Sequence, residues 1–387
     1  MKKVTLSLTG LLVYLLLLIP QVRADDTLGL ALRDAPRSMQ GIRPLGMGDA
    51  FIAVDGTDEN AIFYNPAAIN DYEKKIHMQF LLPTVEFSYK AISFFKDDLT
   101  GLASDISDAT TNANKITVLQ NFTNKNAGRY EEVGVHAPIA ILMHKYITAA
   151  LFYENRSVLG LLNAASSTVD IDSVSQGGLQ VGSSYSFWDN KLQVGAALKF
   201  MERYLISKEL TQRDVVANNN FSDSFSLHRT GFGVGGDIGV QAKIPLKHSK
   251  VWDYLDPTFA LTLQDIANTR FTGDVGETPE SLTAGFAVHP NYWKLKSVFD
   301  FDVRDLDHRK DFITQIHAGY EVTWPEMTKI LRSVSLRAGM SQGYACGGFG
   351  LDFKYFKLNA ATYGREIGKV TRQKESRMFG VELAAGF

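Results

Sequence analysis

MFGVELAAGF, residues 378–387, alternates with a period of two. Phe379, Val381, Leu383, Ala385 and Phe387 fall on one face of an extended chain, and Gly380, Glu382, Ala384 and Gly386 fall on the other. Alone, this suits a strand of a sandwich as well as a strand of a membrane barrel. The same rule upstream separates the two. In KLQVGAALKFMER, Leu192, Val194, Ala196, Leu198 and Phe200 oppose Gln193, Gly195, Ala197, Lys199 and Met201. In LKSVFDFDVR, Leu295, Phe299, Phe301 and Val303 oppose Lys296, Val298, Asp300, Asp302 and Arg304. FITQIHAGYEV and RSVSLRAGM repeat it, with His317, Gly319, Glu321 and Arg337 on the polar side. Segments of about ten residues, apolar on one face and charged or glycine on the other, are the pattern of a transmembrane β-barrel. Inside a bilayer every backbone polar group needs a partner, and strands achieve this only by closing on themselves.

The pattern predicts an all-β, antiparallel transmembrane barrel of fourteen strands. They fall near 74–90, 129–143, 146–158, 177–188, 191–205, 228–243, 258–266, 280–289, 293–304, 311–323, 330–341, 347–354, 357–364 and 376–387. Long connections (91–128, 159–176, 206–227, 267–279, 365–375) alternate with short ones (144–145, 188–190, 289–292, 324–329). That asymmetry is the one an outer-membrane barrel shows. Two connections fit it poorly: 244–257 is long for an inner turn, and 305–310 is short for an outer loop.

The remaining composition excludes other classes. Lys2 and Lys3, an apolar run from Leu11 to Ile19, Pro20 and Ala24 read as a secretory signal peptide over 1–24. No later stretch holds the 18 or so consecutive apolar residues of a membrane helix. The formal charge of -2 offers nothing to a nucleic acid, and a single cysteine, Cys346, allows no internal disulfide framework.

Several short motifs lose their usual meaning on this background. GFGVGG (231–236) matches a dinucleotide fingerprint, but Phe232, Val234, Ile238 and Val240 carry one strand face straight through it. Gly231, Gly233, Gly235 and Gly239 then face the lumen, where they leave room for a plug or ligand. GMSQG (339–343) mimics a nucleophile elbow, but no helix follows Ser341; a hydrolytic pairing of Ser341 with His317 is the weakest of the readings. DGTDEN (55–60) lacks the order of a calcium loop and reads as an Asx turn. The scattered histidines offer no metal site. In loop 91–128, Leu99, Leu102, Ile106, Ala109, Ala113 and Ile116 recur at helical spacing. They form either a face packed on the barrel rim or an apolar ledge for a ligand.

One stretch remains: RPLGMGDAFIAVDGTDENAIFYNPAAIN (43–70), between the signal peptide and the first strand. It resembles the N-terminal hatch of FadL-type outer-membrane transporters of hydrophobic compounds and of the related PorV-like barrels, which carry a G-M-G-G-A-F stretch followed by N-P-A. Here Asp49 stands at the fourth position of the first motif. The resemblance implies an N-terminal hatch over 25–73 that plugs a barrel over 74–387, in the outer membrane of a Gram-negative-type bacterium. It implies passive uptake of a hydrophobic small molecule, such as a long-chain fatty acid, released sideways into membrane lipid when the hatch shifts. Neither a cofactor nor catalysis is implied, and the expected working unit is a monomer. The PorV-like branch implies an alternative: a non-transporting scaffold for exported proteins.

Carried onto this chain, Gly46, Gly48, Asn65, Pro66 and Ala67 belong to the hatch, and Leu45, Met47, Phe51, Phe63 and Tyr64 form its apolar, ligand-facing surface. The alternation itself puts Lys199, Arg203, Lys296, Arg304 and Arg337 in the lumen alongside Asp300, Asp302 and Glu382. Lys199, Arg203, Arg304 and Arg337 then suit either an anionic head group or a balanced network that bonds the plug.

Overall fold

The structure is a computed structural model that describes residues 39–54, 59–71, 76–81, 84–144, 146–161, 168–217, 228–243, 250–307, 311–367 and 375–386. The signal segment, positions 55–58 of the Asx turn and terminal Phe387 lie outside these residues.

Among the described residues one antiparallel sheet closes on itself. Its strands are β1 (His77–Leu81), β2 (Thr84–Ser88), β3 (Tyr130–Met143), β4 (Ile147–Gly160), β5 (Val169–Phe187), β6 (Leu192–Leu210), β7 (Arg229–Lys243) and β8 (Thr258–Gln264). They continue as β9 (Ser281–Val288), β10 (Asn291–Tyr292), β11 (Leu295–Val303), β12 (Ile316–Pro325), β13 (Leu331–Ser341), β14 (Tyr344–Phe353), β15 (Phe356–Glu366) and β16 (Glu375–Gly386). β1 and β2 pair with the same two neighbours, β16 and β3, and are halves of one stave. The two-residue β10 continues β9 along β11. The barrel therefore has the fourteen staves that the alternation predicts.

The faces also fall as the alternation requires. Val194, Leu198, Phe200, Phe299, Leu336 and Val381 are between 36% and 55% exposed, whereas Lys199, Met201, Asp300, Arg337 and Glu382 are at most 8%. On β6 the outward apolar run is bounded by exposed Trp188 in the preceding turn and by outward Glu202. At about 3.3 Å per residue and a tilt near 45°, that run rises on the order of 25 Å, the height of a barrel's apolar band. Tyr146, Tyr185, Trp188, Tyr292, Trp293, Trp324 and Tyr355 are exposed around the short-turn end, as an interfacial girdle would be. This register makes a firm demand. Leu336→Arg is expected to cost about 2–4 kcal/mol at mid-belt and to lower the yield of heat-resistant folded barrel on an unboiled gel. Normal assembly would mean that Leu336 does not face lipid.

Three details differ from the expectation. β5 begins at Val169, eight residues before the predicted start at 177. Its extra length carries outward Ser173 and Ser175, which both accept from Asn155 Nδ2, at 3.2 and 2.8 Å. Above the membrane the outer face needs no apolar residues, so a strand there reads as a loop. β12 begins at Ile316, because Phe312–Gln315 forms a helical turn. β13 and β14 are joined by Gln342 and Gly343 alone, with φ of 54° and 84°, as a two-residue primed turn requires.

Loop 89–129 holds helices at Thr100–Asp108 and Asn112–Lys125, the second capped by Thr111, whose hydroxyl accepts from the Asn114 amide at 3.2 Å. Leu102, Ile106, Leu119 and Phe122 pack on Leu159, Leu161, Val169 and Leu210 at the outer ends of β4–β6. The barrel's own rim covers this apolar face.

Candidate functional site: the occupied lumen

The lumen is filled from one end by the N-terminal residues 39–54 and 59–71. They fold as short helical turns at Ile42–Gly46 and Ala61–Tyr64 and a 3-10 turn at Pro66–Asp71. Leu45, Met47, Phe51, Phe63 and Tyr64 are each at most 4% exposed. Phe51 meets Tyr64 edge-on at 5.3 Å, and Phe63 meets Phe152 of β4 at 5.9 Å. Ile141, Ala150, Met201, Ala260 and Ala287 of the wall complete the cluster.

Glycines in the wall admit this segment. A Cβ on Gly195 would lie 2.3 Å from the Pro66 carbonyl, one on Gly239 2.0 Å from Asn65 Oδ1, and one on Gly319 2.1 Å from the Met47 carbonyl. Gly46 packs against Gly348 Cα on β14, 3.3 Å from where its own Cβ would be. At Gly48, φ is 67° and a Cβ would lie 2.4 Å from the carbonyl oxygens of Ala318 and Met340, so no other residue fits there.

Polar groups fix the segment. Asn65 Nδ2 donates to the Ile52 carbonyl at 2.8 Å, and its Oδ1 accepts from the Ala67 amide at 3.0 Å, which turns the chain into the 3-10 element. From the wall, Gln180 and Gln264 donate to the carbonyls of Ile62 and Phe63 at 2.9 and 2.8 Å. Asp302 accepts from the amides of Phe51 and Ile52, at 2.9 and 3.3 Å. Asp49 lies at φ 62°, which explains why glycine suits that motif position and why Asp is tolerated. Its buried carboxylate accepts from Tyr64 Oη, from Arg304 and, at 2.9 Å, from Gln40.

Of the five cations that the alternation places in the lumen, four sit inside, each matched by protein groups. Arg304 pairs with Asp49. Arg337 lies 2.6 Å from Glu321, which Arg43 of the N-terminal segment also reaches at 2.6 Å. Lys199 bridges Asp237 and Asp265 at 2.8 and 2.7 Å. Arg203 donates to Gln176 at 2.9 Å and Thr278 at 2.6 Å. Lys296, by contrast, is exposed at the inner mouth.

Sequence reasoning missed a second charged layer on the outer side. Glu132 is paired with Arg156 at 2.7 Å and with Arg365, while His136 lies between Glu86 at 2.8 Å and Glu154 at 3.7 Å. All six side chains point inward, and period two on β2, β3, β4 and β15 could have shown that much. Ser341 and His317 do meet, at 3.2 Å, but through Nδ1, which also lies 2.9 Å from the Gly48 carbonyl. A nitrogen that donates to a carbonyl has no lone pair to take the serine proton, so the contact anchors the N-terminal segment rather than activating a nucleophile.

No protein-family model and no curated protein matches the chain. Among solved structures it is similar to the TodX deltaS2S3 mutant monoaromatic hydrocarbon channel, with TM-score 0.51 and 14% identity over 90% of this chain and 97% of that one. The Pseudomonas putida toluene transporter TodX gives TM-score 0.44 and 13% identity over 95% and 99%. A Pseudomonas aeruginosa FadL homologue gives TM-score 0.36 and 8% identity over 90% and 98%. At 14% identity the first likeness is one of fold, and in fold it meets the FadL-type resemblance drawn from the N-terminal motifs.

Proposed function

We propose that this chain resides in the outer membrane of a Gram-negative-type bacterium and passively admits hydrophobic small molecules, long-chain fatty acids among them. Residues 25–73 act as the hatch, and a shift of that hatch releases the ligand sideways into the membrane. The observation that carries this reading is a lumen closed by a segment that is no part of the wall. The described residues 39–54 and 59–71 contribute no stave, so their displacement opens the interior without breaking the sheet. A protein of like fold, a mutant of the monoaromatic hydrocarbon channel TodX, lends support to hydrophobic cargo.

The chemistry follows from what a shift uncovers. Leu45, Met47, Phe51, Phe63 and Tyr64 present apolar surface, and each Å² covered by a ligand is worth about 25 cal/mol, so no energy source is needed. When Asp49 withdraws, Arg304 loses its partner and becomes a receptor for an anionic head. Loss of Arg43 leaves Glu321 with Arg337 as a neutral pair, and Arg337 keeps Asn359 as well. Lys199 and Arg203 stay on the wall beside the path. Gly46, Gly48, Asn65, Pro66 and Ala67 give the hatch its fixed shape. The sideways route fits β3 at Pro138 and Ala140, where the ladder to β4 slips by one residue and proline donates no hydrogen bond.

The test is equilibrium binding of a long-chain fatty acid to the detergent-purified protein, which is expected to saturate at one ligand per monomer. A linear, unsaturable response would remove the transport reading. Co-purification of an exported protein in its place would favour a scaffold.

A further inference from the structure

The outer half of β7 pairs with β6 on one edge but has no strand on the other, the β8 side. β7 pairs with β8 only from Ile238 to Lys243, and β8 stops at Gln264. Beyond that point residues 265–280 turn inward and run along β7. The Ile266 amide donates to the Gly236 carbonyl at 2.9 Å and the Thr272 amide to the Phe232 carbonyl at 2.8 Å. GFGVGG, the glycine run that fitted no nucleotide, is the seat of this segment. A Cβ on Gly231 would lie 1.9 Å from the Thr272 carbonyl, one on Gly233 2.8 Å from the Phe271 ring, and one on Gly235 2.2 Å from Thr269 Oγ1.

Two side chains of the segment reach across the lumen. Fully buried Val275 belongs to one apolar cluster with Tyr130, Val158, Leu205 and Ile367, which come from β3, β4, β6 and the chain beyond β15. Phe271 packs against that outer cluster and also against the cluster around the N-terminal segment. Its ring lies 3.9 Å from the Arg203 guanidinium, whose Nη2 also holds Thr278 Oγ1 at 2.6 Å. One arginine thus grips the segment at both ends of its inward excursion.

We propose that residues 265–280 form a lid over the lumen, latched by Arg203 on Phe271 and Thr278, which lifts to let a solute from outside reach the N-terminal segment. The backbone supports this. With Asp265 held by Lys199 as the hinge, lifting the lid removes isolated bonds to β7 but leaves the β7–β8 and β8–β9 ladders whole. Gly273 and Gly276, both at φ 73°, flank the exposed tip at Asp274. The purpose of the lid rests on the transport reading; its geometry does not.

The test reads lid position without reading transport. Met201 is fully buried, lies opposite Gly233 in the β6–β7 ladder, and belongs to the apolar cluster that Phe271 touches. In the full chain carrying Cys346→Ala and Met201→Cys, a membrane-impermeant thiol reagent is expected to label position 201 slowly. Phe271→Ala, and separately Arg203→Ala, are expected to raise that rate by about tenfold or more, because labelling tracks the population of the open form. Phe259→Ala, an outward substitution on β8, serves as the control and leaves the rate unchanged. Unaltered labelling in both lid variants, or equal acceleration by the control, overturns the lid. Faster labelling without saturable fatty-acid binding in any variant upholds the lid and removes the transport reading instead.

Discussion

A Gly195→Leu protein is expected to insert and run as a folded barrel while losing the N-terminal segment from its interior. The wall tolerates the change: Gly195 sits mid-strand between Ser184 and Gly239, in backbone that any residue can adopt. The segment does not tolerate it. Even the first added carbon would fall 2.3 Å from both atoms of the Pro66 carbonyl and 2.5 Å from the Ala67 amide. These are backbone atoms of the 3-10 turn fixed by Asn65, so no side chain can swing aside. Overpacking of a fixed core typically costs about 1–3 kcal/mol, and leucine adds three carbons beyond that clash. Chymotrypsin is the probe, because Phe51, Phe63 and Tyr64 are all buried in the parent. Cleavage after these residues, identified by mass, should rise about tenfold or more for each 1.4 kcal/mol lost. If the variant resists as the parent does, the wall glycines do not hold the segment in place.

The second large effect belongs to Arg304. Arg304→Ala takes away the cation paired with the 2%-exposed Asp49 and leaves donors from Tyr64 and Gln40, beside a wall that already carries buried Asp300 and Asp302. Removing one partner of a buried ion pair costs about 3–5 kcal/mol, more than the pair itself contributes. The expected result is a segment that releases at much lower denaturant than in the parent, read again by chymotrypsin. Adding Asp49→Gly should recover most of the loss, because the stranded charge is gone and φ 62° suits glycine. A double variant no better than the single would show that Arg304 acts through some contact other than Asp49.

The fold was legible because lipid imposes a period-two pattern on every stave, and the pattern was clearest in β6, β13 and β16. The glycine row of β7 was legible as a vacancy, since inward glycines make space whatever fills it. Its occupant was not, because Thr269, Phe271 and Thr272 lie in a stretch that reads as an ordinary outer loop. Local composition says nothing about a loop turning inward. The Glu132–Arg365 pair was hidden for another reason: its partners stand 233 positions apart. Inward orientation follows from each strand alone, but which charges meet depends on the stagger between distant staves. The early start of β5 was missed because Ser173 and Ser175 sit where the wall has left the bilayer.

The wall is of uneven height. β5 and β6 are nineteen residues long, whereas β8 and β9 have seven and eight. The helices of 91–128 add to the tall side, where they rest on the rims of β4–β6. Such a mouth has a direction. Under the uptake proposed above, the low sill at β8 and β9 is where the wall would least obstruct a small lipophile moving along the membrane.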